Sequence, residues 1–316
     1  MKNKSARLLG SIVALGIAAG TLPAMADSRY VEQVEKSLQD FVAQHGKDNG
    51  SYPGLAMNLV SVYLSNGMAQ KADETFKQAV ESAKAHSTSP AELPGMYMSY
   101  AMGIAQNCTN RSLPQNKNQK AELDLAHKTL LKGLSIVNQS PEKLSMRLNY
   151  LSDMIECYKM GGMKAEASVQ LQVVDQQLKL LESDDKLKPE KITQVASTLI
   201  KLSRQYCPSP MFRAARMMQP MQVVSDDSPI KPNTVKSKDF KAAEAYQLRA
   251  MAQFNKLPEN DPSRIEAQRA FASWYHLYGQ TKQEEFQTQQ LSKLMHTTDR
   301  NKLFPQPPPC PACGMG

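Results

Sequence analysis

Three times this chain repeats one short pattern. A pair of apolar residues is followed three positions later by tyrosine, and four positions after that by glycine. The instances are Leu59-Val60, Tyr63 and Gly67; Met154-Ile155, Tyr158 and Gly162; and Phe271-Ala272, Tyr275 and Gly279. In the first two, an alanine follows nine residues after the tyrosine (Ala72, Ala167), then a large apolar residue (Phe76, Leu171), then a small or β-branched one (Ala79, Val174). Apolar residues at intervals of three and four share one stripe of a helix. Glycine just past such a stripe can take the left-handed conformation that closes it. Each pattern therefore predicts a helix, a tight turn and a second helix. The tyrosine is expected to fill the space between the two helices. The alanine admits their close approach, and the large residue packs onto the next hairpin.

The rest of the chain follows the same helical period, and sustained alternation of β-branched residues is absent. Val31, Val34, Leu38, Phe41 and Val42 define a first helix over 30–43. Ser89-Pro90-Ala91-Glu92, Ser140-Pro141-Glu142, Lys188-Pro189-Glu190 and Asp261-Pro262 read as helix starts. A short helical stretch is expected around 211–218. The segment QVVSDDSPIKPNTVKSK, polar and twice broken by proline, reads as a linker. The end, LFPQPPPCPACGMG, is too rich in proline and glycine to pack as a helix. The expected fold is all-α: stacked antiparallel helix pairs with a disordered Pro-rich C-terminal tail. Its divisions are an N-terminal helix over 27–50, repeats over 51–222, a linker over 223–238, further repeats over 239–298 and the tail over 299–316.

The pattern resembles the tetratricopeptide repeat, whose consensus carries a Leu, a Tyr, an Ala, a large aromatic and another Ala at these offsets. The match is good over 53–86, fair over 145–180 and partial over 264–296, where Glu284 occupies the expected small position. Residues 93–138 keep only Ala126, Leu130 and Gly133 from the second half of the pattern. Tyr63, Tyr158 and Tyr275 lie 95 and 117 residues apart, not multiples of the family's repeat of about 34. Some units are then elongated or interrupted, and an irregular helical bundle is the competing expectation. The resemblance implies a TPR-like α-solenoid with a concave face formed by the first helix of each pair. It would place Met57, Ser61, Asn149, Ser152, Glu156, Lys159, Arg269, Ser273 and His276 toward a protein or peptide partner. The lysine and asparagine cluster by which some members clamp a terminal carboxylate is not evident, so that ligand is not inherited.

Residues 1–26 read as a secretory signal peptide. Lys2, Lys4 and Arg7 precede an apolar core from Leu8 to Ala19, and Ala24-Met25-Ala26 forms a small-x-small cleavage site. Glycines and Thr21-Leu22-Pro23 interrupt the run before the roughly 20 apolar residues a spanning helix needs. The segment is of the short bacterial kind, so a periplasmic or secreted protein without an integral membrane segment is expected. Loss of its three basic residues takes the net charge from +8 to +5, dispersed along the chain, and only 6% of residues are aromatic. That combination does not make the basic stripe with stacking platforms of a nucleic-acid binder. Hydrophobic residues make up 41% of the chain, so a core of ordinary size can hold the fold without a disulfide scaffold.

No G-x-S-x-G, H-E-x-x-H, Walker or dinucleotide fingerprint occurs, and the five histidines show no i, i+4 pairing. Two Ser-x-x-Lys matches, at Ser140 and Ser183, lie at helix ends where serine caps. Eighteen methionines, among them Met217, Met218 and Met221, are expected as fillers of an irregular core. Cys310-Pro311-Ala312-Cys313 is the most specific local feature. It can close a small disulfide or offer two thiolates to a soft metal, although a structural zinc site would need further ligands. The leading expectation is a non-enzymatic exported scaffold, without cofactor, that binds a protein or peptide. The alternative is a thiol- or metal-handling protein that uses Cys310 and Cys313.

Overall fold

The computed structural model describes residues 28–86, 89–109, 119–140, 143–184, 186–207 and 236–305. Among them are twelve helices and no strand. We number these α1 (Ser28–His45), α2 (Tyr52–Ser65), α3 (Ala69–His86), α4 (Glu92–Thr109), α5 (Gln119–Gln139) and α6 (Lys143–Met160). Then come α7 (Lys164–Glu182), α8 (Pro189–Arg204), α9 (Ser237–Phe254), α10 (Pro262–Leu277), α11 (Thr281–Met295) and the single turn α12 (Arg300–Leu303). The chain forms two compact units, residues 1–176 and 177–316. In both, helices consecutive among those described pack as pairs, α2 with α3, α4 with α5, α8 with α9 and α10 with α11, so the fold is all-α and built of stacked helix pairs. The expected signal segment, the stretch around 211–218, most of the expected linker and residues 306–316 of the expected tail lie outside the described residues.

The recurring tyrosine–glycine interval has a definite backbone role. Gly67, Gly162 and Gly279 have φ of +71°, +74° and +65°. At each turn the residue after the glycine donates its N–H to the carbonyl of the tyrosine: Met68 to Tyr63 at 2.9 Å, Met163 to Tyr158 at 2.8 Å and Gln280 to Tyr275 at 3.0 Å. The glycine's own N–H goes to the following carbonyl, that of Leu64, Lys159 or His276. These paired bonds satisfy the orphan carbonyls of the helix end, and only glycine enters the left-handed region without penalty.

The side chain of the tyrosine departs from expectation, because its hydroxyl reaches the helix preceding the hairpin. Tyr63 donates to Glu35 of α1 at 2.6 Å, and Tyr275 donates to Glu244 of α9 at 2.8 Å. The Tyr158 hydroxyl bonds the His127 Nδ1 of α5 at 2.9 Å. Tyr100 of α4 makes a longer bond of the same kind, 3.4 Å to Asp73 of α3. Burial pushes the Tyr158 phenol up to about 12, and the Tyr63 and Tyr275 phenols are raised by burial and then by their carboxylate acceptors. The ring is thus the link between successive helix pairs. Its apolar body is buried and its polar tip is satisfied across the gap.

In the N-terminal unit, Ala72 and Ala79 of α3 are fully buried. Phe76 stacks on Tyr100 of the next helix, with centroids 4.1 Å apart. Gly133 of α5 marks a second close approach: a Cβ there would sit 1.9 Å from the Tyr150 hydroxyl of α6 and 3.0 Å from Tyr97 of α4. Tyr150 uses that space to donate to the Leu130 carbonyl at 3.1 Å.

In the C-terminal unit, α8 packs most closely against α9, on either side of the segment whose composition predicts a linker between two blocks of repeats. α9 also begins at Ser237, inside the expected linker. A buried bond from Gln247 Nε2 to Ser203 Oγ, 2.8 Å, joins that pair. Arg249 holds Glu182 through two bonds of 3.0 and 2.6 Å. Asp261 caps α10 by accepting from the Ser263 N–H, as its position before Pro262 predicts. The expected disordered tail starts too early at residue 299. Asp299 caps α12, Leu303 is buried, and Arg269 donates to the Leu303 carbonyl.

Candidate functional site

The residues that the repeat resemblance turned toward a partner fall into different environments. Ser61, Asn149 and Lys159 are exposed, while Met57, Glu156 and Ser273 are half-buried. Ser61 spends its hydroxyl on the Met57 carbonyl of its own helix. Ser152 is 2% exposed and donates to the Leu148 carbonyl at 2.8 Å, so its side chain belongs to the interior of the N-terminal unit. α6 is buried around much of its circumference, with Leu148, Tyr150, Leu151, Met154 and Cys157 all inside, which leaves little outward face at that level. Arg269 is engaged by Glu266, the Leu303 carbonyl and the Met295 sulfur, and His276 pairs with Glu284 at 3.1 Å. Those two side chains tie α10 to α11 and α12.

Thiol and imidazole chemistry is similarly absorbed. Cys108, Cys157 and Cys207 are not in disulfides. Burial, followed by the Glu122 carboxylate 3.2 Å away, pushes the Cys108 thiol up to about 12; burial also pushes Cys157 up to about 12. Thiols held protonated in this way are poor nucleophiles and poor metal ligands. Among the described residues no group of three or more His, Cys, Asp or Glu is placed to hold a metal ion, and no helix is long and apolar enough to cross a membrane. Cys310 and Cys313 lie outside the described residues.

A cleft of about 510 Å³ opens in the C-terminal unit, walled by α9, α10 and α11. Its lining is arranged in levels. Leu248 on α9, Phe271 on α10 and Phe286 on α11 form an apolar level; Leu248 is 50% and Phe286 55% exposed, against 2% for Phe271. Asn255, which caps α9, Arg264 of α10 and Lys293 of α11 lie seven residues along each helix from those three. Short connections make α10 antiparallel to both neighbours, so all three shifts run toward the same end of the cleft. Seven residues of helix rise about 10 Å, so a polar level stands about 10 Å from the apolar one. Met251, Gln268 and Gln290 line the wall between.

The polar level carries uncommitted charge. Arg264 donates from Nη1 to the Leu257 carbonyl at 2.9 Å, which orients the guanidinium, while its buried Nε has no acceptor. Neither Arg264 nor Lys293 pairs with a carboxylate among the described residues, and Glu259 at the same end is bonded to neither. Gln268 turns its amide to the carbonyl and side chain of Gln287, at 3.0 and 2.7 Å, closing the floor. What this arrangement can do is hold a short stretch of chain: apolar side chains at one end, cations at the other and amides between.

The cleft lies on the other side of α10 from the positions expected to bind. At 3.6 residues per turn, Arg264, Gln268 and Phe271 share a stripe about 140° around the helix from Arg269, Ser273 and His276. Sequence reasoning missed it, and one signal could have found it: Phe286 stands alone in the polar run 281–290, at neither the small nor the large position of the repeat. No family model matches the chain, and neither curated proteins nor solved structures provide a match.

Proposed function

We propose that the protein is a non-enzymatic, exported helical-repeat scaffold that binds a protein or peptide segment, and that the α9–α10–α11 cleft is where it binds. The observation that carries this reading is Leu248 and Phe286. Two large apolar side chains stand half-exposed on opposite walls of one cleft, beside cations that no described carboxylate neutralises. Exposed apolar surface rimmed by polar groups is a common feature of interaction sites. The pairing grammar also supports a tetratricopeptide-like origin for the hairpins, and the first 26 residues support export with cleavage before Asp27.

The test is selection from a random peptide library on the mature chain beginning at Asp27, with Leu248→Glu and Phe286→Glu as counter-selections. Enrichment of one peptide family whose binding disappears in both variants, at unchanged helical circular dichroism, is the expected result. No enrichment, or peptides indifferent to both substitutions, would remove the cleft as the binding site. Amino-terminal sequencing of the exported protein checks the processing site.

A further inference from the structure

We infer that the segment taken by this cleft is an extended acidic peptide, with a carboxylate side chain three positions from a large apolar one. This rests on the reading of the cleft as a binding site and adds the chemistry and spacing of its ligand. The carboxylate follows from Arg264 and Lys293. Two cations at one end of a cleft, neither paired with a described carboxylate, set a positive potential that an acidic group would complement, with the guanidinium already oriented by Leu257. Glu259, the remaining charge on the lining, leaves that end with a net positive balance. The apolar side chain follows from the gap between Leu248 and Phe286 above the Phe271 floor.

The spacing follows from helix geometry. The two levels are seven helical residues apart on each of three walls, about 10 Å. An extended peptide advances about 3.3 Å per residue, so three residues cover that distance. The extended form is favoured by the wall between the levels, where the half-buried Gln290 presents an amide. Amides can pair with the free backbone N–H and C=O of an extended chain, which a helix would keep for itself.

Synthetic octapeptides carrying one Leu or Phe and one Glu, at separations of two to five residues on a Gly/Ser/Thr background, test this by fluorescence anisotropy with the mature chain. Tightest binding is expected at a separation of three. Replacing the peptide's Glu by Gln should weaken it about tenfold, as for loss of one charge-assisted bond. The double variant Arg264→Gln/Lys293→Gln should show the same loss and no longer distinguish Glu from Gln. If Glu and Gln peptides bind equally and Leu248→Glu abolishes both, the acidic specificity is wrong while the cleft remains the binding site. If no peptide of any spacing binds, both readings fall. A concentration-dependent dimer in sedimentation that Phe286→Glu dissociates would overturn the inference by showing that a second copy fills the cleft.

Discussion

The hairpin of α2 and α3 and that of α10 and α11 close in the same way and then diverge. Both end their first helix with a tyrosine carbonyl accepting across a left-handed glycine, and both tyrosine hydroxyls donate to a glutamate on the preceding helix. Nine residues after the tyrosine, the first hairpin has Ala72, fully buried, and the last has Glu284, paired with His276. Thirteen residues after it, the first has Phe76 stacked on Tyr100 and the last has half-buried Thr288. The difference tracks what each pair must pack against. α3 is followed by α4, which covers Phe76; α11 is followed by the single turn α12, with no further hairpin among the described residues. Where a hairpin is covered, the repeat positions hold apolar side chains. Where no described hairpin follows, the first two of these positions turn polar while the third, Leu291, stays buried, and a cleft lined by Phe286 lies in the same unit.

Exchanging the residues at the divergent positions should break that comparison hardest. Ala72→Glu places a carboxylate with no partner into a fully buried site and should cost at least about 3 kcal/mol, whereas Glu284→Ala should change stability by less than about 1 kcal/mol. Urea unfolding of the two variants gives both numbers. Next in size, Phe76→Ala should lose about 3–5 kcal/mol through the cavity left against Tyr100, and Thr288→Ala should stay within about 0.5 kcal/mol. Equal losses at 76 and 288 would mean that the last hairpin is covered as fully as the first.

A smaller effect concerns what the hairpins share. Tyr63→Phe and Tyr275→Phe should each cost about 1.5 kcal/mol, the value of a bond to a charged acceptor, and Tyr100→Phe, with its 3.4 Å bond, clearly less. Tyr158 adds a pH signature. Its folded phenol is raised to about 12 from an ordinary 10, so its contribution is complete below pH 10 and is lost as pH rises toward 12. The unfolding midpoint of the wild type should therefore fall more steeply over that window than that of Tyr158→Phe. The smallest effect is acidic. The Tyr63 hydrogen bond, and then Lys71, lower the Glu35 carboxyl below its ordinary 4.5. Its contribution is present above that value and is lost as pH falls through the lower folded one. A midpoint difference between wild type and Glu35→Gln at neutral pH should close in strong acid.

The turns and the close approaches were legible because they depend on neighbours in the chain. The Tyr63 carbonyl and the Gly67 N–H find their backbone partners, Met68 and Leu64, within five residues along the chain, and alanines at a fixed offset mark where two helices joined by a short turn must touch. The Asp261 cap was legible for the same reason. The roles of Ser152, Arg269 and the cleft were not. Helical period says which stripe of a helix is apolar but not how many of its sides are covered, and α6 is covered on several. The partners of the tyrosine hydroxyls lie 27 to 31 residues back, on helices whose register against the hairpin no local spacing specifies.

The amino-acid sequence by itself thus determined the all-α class, the hairpin turns and the positions where side chains must be small, since each follows from backbone sterics and a periodicity read within about twenty residues. Only the tertiary structure decided that α8 pairs with α9 across a long connection, that the tyrosines tie successive pairs together, and that Leu248, Arg264, Phe286 and Lys293 meet around one cleft. Those arrangements join residues distant in sequence. They depend on how whole helices dock, where each helix can satisfy its apolar stripe against more than one neighbour.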